Sequence, residues 1–268
     1  MAEERIVIPT RGRVGNQLTY DILKWNESDM LRYAVTLVCP EEEISKHRKK
    51  GYWAVASPTE GITNKRQWIM GWAKRIGVKR IIMLDDDLNK WAIRKSDKSY
   101  HLRDMKPEEI WRTLKEIFRI LREEDYPLVG VSQRSGNNRL FPKEFVTCTR
   151  QLNVHGIDVR VYHKIGAVFN RLQLMEDFDV TLQFLEVGYR NMVLTDCTVD
   201  QMIGKPGGCS TYRTARLQEQ CAKGLAQLHP DFVTVVTKVS KTGWDGMRER
   251  FDVRIQWKKA YESSKDLT

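Results

Sequence analysis

The side chains best equipped for chemistry are Asp85, Asp86 and Asp87, which abruptly close the apolar run Ile81, Ile82, Met83 and Leu84. Three adjacent carboxylates repel one another, and a bound divalent cation is the usual relief. Mg²⁺ or Mn²⁺ takes one or two protein carboxylates and completes its shell with phosphate oxygens and water. Alternation along a strand would put Asp85 and Asp87 on one face and turn Asp86 away. A polar loop after a strand is the plainer reading, and it explains one such aspartate better than three. A second acidic cluster, Glu176, Asp177 and Asp179, stands at the start of a helical pattern. Capping of the helix start accounts for acids there; a general base held near a metal accounts for them equally.

Cations accompany both clusters. Arg11 and Arg13 lie in the loop after the first strand, and Lys65 and Arg66 fall in the first turn of a helix. The helix dipole repels cations at that end unless an anion is near, although a solvated face remains an alternative. Arg134, Asn137, Asn138, Arg139, Lys143 and Arg150 make a basic, amide-bearing stretch suited to phosphate contacts. Phe141 or Trp91 would offer a ring for an extruded base to stack on. Arg254, Lys258 and Lys259 form a further basic patch, read as the exposed face of a last strand. The loop from Gly204 to Arg213, with Lys205, Gly207, Gly208, Ser210 and Tyr212, reads either as a lid or as an ordinary connection.

The elements that must position these groups follow from the apolar pattern. Residues 5–9 and 34–39 read as buried strands, the second stopped by Pro40. Thr63 is placed to cap a helix carrying Ile69, Trp72, Ala73 and Ile76 on one stripe, ended by Gly77. Pro107, Glu108 and Glu109 open the clearest helix, whose stripe is Ile110, Leu114, Ile117 and Leu121. Residues 128–132 read as a buried strand, and Ile157, Val159 and Val161 as a strand with one wet face. A helix through Phe178, Leu182 and Leu185 precedes the strand 192–194. A helix follows at about 214–228, and Phe251, Val253, Ile255 and Trp257 alternate near the end. Alternating strands and helices in the first half predict an α/β fold with a mostly parallel sheet, and the second half adds an antiparallel portion.

Of 268 residues, 45 are basic and 35 acidic, so the formal charge is +10. The excess gathers towards the two ends, and a folded surface with such a surplus suits a polyanionic partner, solubility being the plainer alternative. No run of eighteen apolar residues is present, so a membrane span is not expected. The charged start Met1–Arg5 predicts no secretory signal. Five cysteines without CxxC spacing argue against a disulfide framework or zinc ribbon and for a reduced compartment.

Taken in order, Ile8–Gln17, Gly61–Trp68, Met83–Leu88, Gly136–Arg139, Met175–Leu182, Gly207–Thr214 and Gln256–Tyr261 resemble the bacteriophage glycosyltransferases associated with TET-like DNA dioxygenases. The resemblance implies one GT-A domain over residues 1–268: a Rossmann-like, mostly parallel central sheet flanked by helices, with a smaller antiparallel part. Its nucleotide half would be about 1–132 and its acceptor and catalytic half about 133–268. It implies transfer of a sugar from a UDP-sugar, UDP-GlcNAc or UDP-glucose, to the hydroxymethyl group of 5-hydroxymethylcytosine in DNA. A TET-like dioxygenase would supply that hydroxyl, in the cytoplasm of an infected bacterial host.

Carried across by position, Thr10, Arg11, Arg66, Asp85 and Asp86 would hold the nucleotide sugar. Asp87 and Asp85 would hold Mg²⁺ or Mn²⁺. Asp177, with Glu176 as alternative, would be the base of an inverting reaction. Arg134, Asn137, Asn138, Arg139 and Lys143 would meet DNA, and Gly207, Gly208, Ser210, Tyr212 and Arg213 would form the lid. Many GT-A enzymes add a late histidine ligand; His229 is the candidate here, with Asp200 beside it. A non-DNA acceptor, a non-catalytic nucleic-acid-binding module and a nucleotidyltransferase are the competing readings.

Overall fold

The structure is a computed structural model that describes residues 3–96, 101–134, 143–201, 212–244 and 247–267. Its frame is a ten-stranded sheet in the order β3-β2-β1-β4-β9-β7-β10-β5-β6, with β8 paired to β10. The strands are β1 (Glu4–Pro9), β2 (Thr36–Cys39), β3 (Ala54–Ala56), β4 (Arg80–Leu84), β5 (Leu88–Arg94), β6 (Leu102–Asp104), β7 (Leu128–Gln133), β8 (Phe145–Thr147), β9 (Val154–Asp158) and β10 (Asn191–Gln201). β3, β2, β1, β4, β7, β10 and β6 run one way; β9, β5 and β8 run against them. Every residue of β2, β4 and β9 is buried, as strands covered on both faces require.

One face of the sheet packs against α1 (Leu18–Leu23), α2 (Glu27–Arg32) and α5 (Pro107–Glu123). α5 forms where expected. Pro107 sits in its first turn, the Glu109 carboxylate accepts from the Lys106 N–H at 2.8 Å, and its apolar stripe lies buried on the sheet. β9 lets α5 approach closely because Gly156 lacks a side chain; a Cβ there would collide with Ile117. The other face packs against α4 (Ile62–Arg75), α6 (Val159–Lys164) and α7 (Glu176–Glu186). α3 (Glu41–Lys49) leads from β2 towards β3, with three glutamates in its first turn and four basic residues in its last.

A third cluster joins α7 to the C-terminal elements: α8 (Ala215–Leu228), the antiparallel pair β11 (Val233–Trp244) and β12 (Met247–Ile255), and α9 (Trp257–Glu262). The antiparallel portion anticipated for the second half is this two-stranded sheet together with β8 and β9.

Four local expectations are corrected. Val159 and Val161 belong to α6, because the Asp158 carboxylate accepts from the Arg160 and Val161 N–H groups and starts a helix there. The cap of α4 is Gly61, in a left-handed conformation (φ +73°), and Thr63 lies inside the helix. Trp257, Lys258 and Lys259 lie in α9, beyond the last strand. Trp91 is 4% exposed inside the core, which removes it as a stacking surface for a base. Phe141 lies outside the described residues.

Candidate active site

The acidic triplet follows β4 at the end of a sheet strand, where open α/β sheets hold their ligands. Residues 85–87 leave extended geometry for a turn, so strand alternation fails there. Asp86 and Asp87, rather than Asp85 and Asp87, share a partner. Arg13 Nη1 binds Asp86 and lies 3.0 Å from Asp87. The Thr10 hydroxyl donates to Asp86 Oδ2 at 2.5 Å, and the Gln17 amide donates to Thr10 at 2.9 Å. Burial pushes the Asp86 carboxyl up to about 7 against the pull of Arg13 and Thr10. Burial and then Asp85 raise Asp87.

Asp85 belongs to a second ion cluster. Arg66 spans two acids, donating at 2.7 Å to Asp85 Oδ1 and at 2.7 Å to Glu176 Oε1. The other oxygen of Asp85 accepts from Asn153 at 3.0 Å and from Gln201 at 2.9 Å. Of the cations expected in the first turn of α4, Arg66 has thus found anions. Lys65 is buried beside Arg66 and donates to the Thr10 carbonyl at 2.6 Å, and desolvation lowers its ammonium to about 8. Arg11 stays on the surface, 3.5 Å from Glu60.

α7 begins with Met175 in the left-handed region, which turns the chain so that Glu176 and Asp177 enter the site together. Burial raises both carboxyls. Arg66 opposes that rise most strongly at Glu176 and Arg150 at Asp177. The Arg150 guanidinium lies 4.3 Å over the Phe178 ring. Glu176 is locked by Arg66, whereas no side-chain hydrogen bond or ion pair of Asp177 is seen among the described residues.

Asp179, two residues on and fully buried, faces the other way. It takes hydrogen bonds from Arg171 and from Gln183, and His229 Nε2 lies 2.8 Å from it. His229 Nδ1 meets Glu186. His229 therefore stands in this network rather than beside Asp85 and Asp87. Asp200, the other late candidate, accepts from the Gln201 N–H.

Among the described residues no three metal-binding side chains converge. The chemistry of the site nevertheless fits a divalent ion. Asp87 Oδ1 is buried without a partner, as are Gln17 Oε1 and Asn153 Oδ1 on the residues that brace Thr10 and Asp85. Buried acceptors left unpaired are costly, and Mg²⁺ or Mn²⁺ needs few protein ligands when phosphates supply the rest.

Of the residues expected to meet DNA, Arg134 and Lys143 are exposed, and the Lys143 carbonyl accepts from Arg94 and Thr195. Asn137, Asn138 and Arg139 lie outside the described residues. So do Lys205, Gly207, Gly208 and Ser210 of the anticipated lid. Its other members, Tyr212 and Arg213, are half-buried, and Tyr212 packs against the cluster that holds Phe178. Sequence reasoning missed Asn153, Gln201, Gln17 and His155. His155 is fully buried beside Arg66 with neither ring nitrogen partnered, and burial drives its pKa well down, so the ring is neutral.

Several solved structures match this chain at low similarity. The complex described as GalNAc-T7 with UDP, GalNAc and Mn²⁺ matches at TM-score 0.49 and 12% identity, over 82% of this chain and 47% of that one. Mannosyl-3-phosphoglycerate synthase from Rubrobacter xylanophilus matches at TM-score 0.47 and 10% identity, over 94% and 84%. CMP:2-keto-3-deoxy-manno-octonic acid synthetase complexed with CTP matches at TM-score 0.44 and 12% identity, over 84% and 99%. A search of curated proteins finds no match.

The molecule is an α/β protein with a large, mostly parallel layered sheet and a small antiparallel companion. Residues 5–208 match the model of the TET-associated glycosyltransferases, and the chain belongs to that family. It is a glycosyltransferase.

Proposed function

We propose that the enzyme moves a sugar from a UDP-sugar, UDP-GlcNAc or UDP-glucose, to the hydroxymethyl group of 5-hydroxymethylcytosine in DNA, with inversion at the anomeric carbon. The observation that carries this reading is the contrast at the start of α7: Glu176 is tied to Arg66, and its neighbour Asp177 has no side-chain partner among the described residues. The raised pKa of Asp177 makes it a stronger base than a solvated aspartate.

In this mechanism Thr10, Arg11, Arg66, Asp85 and Asp86 surround the nucleotide sugar, with Arg13 and Arg66 fixing the carboxylates. Asp87 and Asp85 would hold Mg²⁺ or Mn²⁺, which as a Lewis acid stabilises charge on the departing diphosphate. Asp177 takes the proton of the acceptor hydroxyl as that oxygen bonds to the anomeric carbon and the bond from carbon to the UDP oxygen breaks. Residues 1–132 serve the donor and 133–268 the acceptor and the base, within one domain. The name of the family supports a TET-like dioxygenase as source of the hydroxymethyl group. No described helix is long and apolar enough to cross a membrane.

The test is mass spectrometry of nucleosides from hydroxymethylated DNA incubated with a panel of UDP-sugars, with and without chelator. An adduct on 5-hydroxymethylcytosine of hexose mass from UDP-glucose or N-acetylhexosamine mass from UDP-GlcNAc, lost with chelator and restored by Mn²⁺ or Mg²⁺, is expected. Release of pyrophosphate when a nucleoside triphosphate and a sugar phosphate replace the UDP-sugar would mark a nucleotidyltransferase, and no turnover with any donor would mark a binding module. Transfer only to non-DNA acceptors would replace the acceptor. NMR of the product's anomeric configuration checks inversion.

A further inference from the structure

The candidate catalytic residues lie inside the segment matched by the family, whereas β11 and β12 lie beyond residue 208. From 209 to 268 the chain carries 11 basic and 7 acidic residues. β11 and β12 make a long two-stranded ribbon that joins no other strand among the described residues.

Register divides the side chains of the ribbon into two faces. Val233 opposite Ile255, Val235 opposite Val253 and Thr237 opposite Phe251 form one. Val233 and Val253 are buried there with Cys221, Ala222 and Leu225 of α8, so this face is the seat of the ribbon. The opposite face presents Thr234 with Arg254, Val236 with Asp252 and Lys238 with Arg250. Asp252 is its single acid among the described residues. Lys238 Nζ lies 2.8 Å from it and Arg250 3.6 Å from it, so one carboxylate serves two cations, and Arg254 is exposed.

The charges of that polar face and of the candidate base both reach Arg150. Asp177, Asp252 and Arg250 are all close enough to act on the Arg150 charge. The ring beneath Arg150, Phe178, is edged by Trp257 at 5.9 Å, two residues past the end of β12. A two-stranded ribbon fits the DNA major groove, where the 5-position of a pyrimidine is displayed.

We propose that the β11–β12 ribbon is the arm that docks duplex DNA, with Lys238, Arg250 and Arg254 receiving its phosphodiester backbone so that the modified base is presented at Asp177. The assignment rests on the acceptor reading above and deepens it. Two cations in excess on a surface beside the base match a polyanion, and each phosphate neutralised releases counterions.

The experiment is fluorescence anisotropy of a labelled duplex containing 5-hydroxymethylcytosine, titrated with the full chain at several salt concentrations. In the Lys238→Ala/Arg254→Ala variant, affinity should fall about tenfold or more, and the slope of log K against log salt should shrink by roughly 0.9 for each phosphate that is no longer neutralised. Both side chains are exposed, so the melting temperature should hold; the single Arg254→Gln variant, expected to lose about half as much slope, covers a double variant that misfolds. Equal affinity and slope in wild type and variants overturns the proposal, as does absence of duplex binding by the wild type. A change confined to oligomeric state, read by light scattering, overturns it in favour of contact between copies. Duplex binding that needs the ribbon, without sugar transfer, keeps the docking arm and sinks the acceptor reading. Transfer that is indifferent to the ribbon variants does the reverse.

Discussion

The two ion clusters at the strand ends and the start of α7 look alike in composition and differ in how far their charge is matched. Around Arg13 and Arg66 every acid has a protein cation: Asp86 and Asp87 share Arg13, and Asp85 and Glu176 share Arg66. At Asp177 the protein offers the nearby Arg150 charge, with no side-chain hydrogen bond to the carboxylate among the described residues. A matched cluster is rigid and fixes geometry; an unmatched carboxylate is free to take a proton. On the proposed mechanism, the difference separates the residues that hold the site from the residue that works in it.

The sharpest way to break the comparison is to exchange the two neighbours. Asp177→Asn should lower the transfer rate by about 10²–10⁴-fold, the usual worth of a positioned base, while the melting temperature stays put. Glu176→Gln should do less to the rate and more to stability, because it removes one of the two carboxylates that Arg66 neutralises. Single-turnover kinetics and thermal melts on both variants decide it, and a larger rate loss in Glu176→Gln would reverse the roles.

The matched side is tested by stability. Arg66 is 4% exposed and neutralises two acids, so Arg66→Met leaves the buried Glu176 and the half-buried Asp85 uncompensated. Breaking such a cluster costs about 3–5 kcal/mol. A denaturant midpoint within error of wild type would show that Arg66 carries no structural load.

Titration gives a third handle. Burial, opposed by Arg150 and Arg66, raises the Asp177 carboxyl above its ordinary 3.8. A base must be ionised to accept the proton, so kcat/KM should fall as pH drops through that raised value, about tenfold per unit beyond it. An acid limb at the ordinary aspartate value, or none above it, would separate Asp177 from the chemistry.

How much of this was legible beforehand depended on whether a feature was local. The end of β4 could be read because an apolar run stopping at three aspartates is a contrast within a few residues. α5 could be read because its proline, acids and stripe are all within it. What could not be read was the company these residues keep. Gln201 reaches Asp85 from 116 positions away, and Asn153 and His155 are ordinary residue types on or beside a strand whose register no local pattern fixes. The misreading of Val159 and Val161 had a visible remedy. Asp158 is a cap-forming residue, and a cap can outweigh three alternating branched side chains in a segment this short. The failure of alternation at Asp85–Asp87 has the same root, since a turn ends the two-residue period that the reading assumed.

The smallest effect probes the side of α7 that faces away from the site. Burial pulls the His229 imidazole down, but the hydrogen bonds and charges of Asp179 and Glu186 outweigh it, so its pKa stands above the ordinary 6.5. The charges packed round it are Asp179 and Glu186 of α7 and Arg171 of the preceding loop. A group whose pKa is raised by folding adds stability that is complete below its unfolded value and is lost as pH rises through the folded one. The denaturation midpoint should therefore decline as pH climbs above about 6.5. His229→Gln should flatten that decline and cost about 1.5–3 kcal/mol on the acid side, the range for hydrogen bonds to charged groups. Because Asp179 and Asp177 share the first turn of α7, the same variant should reduce the transfer rate only slightly if that turn is held mainly by Arg66 and the buried Phe178. A rate loss approaching that of Asp177→Asn would mean that the base is positioned from behind, through Asp179, and that the matched and unmatched sides of the helix are one mechanical unit.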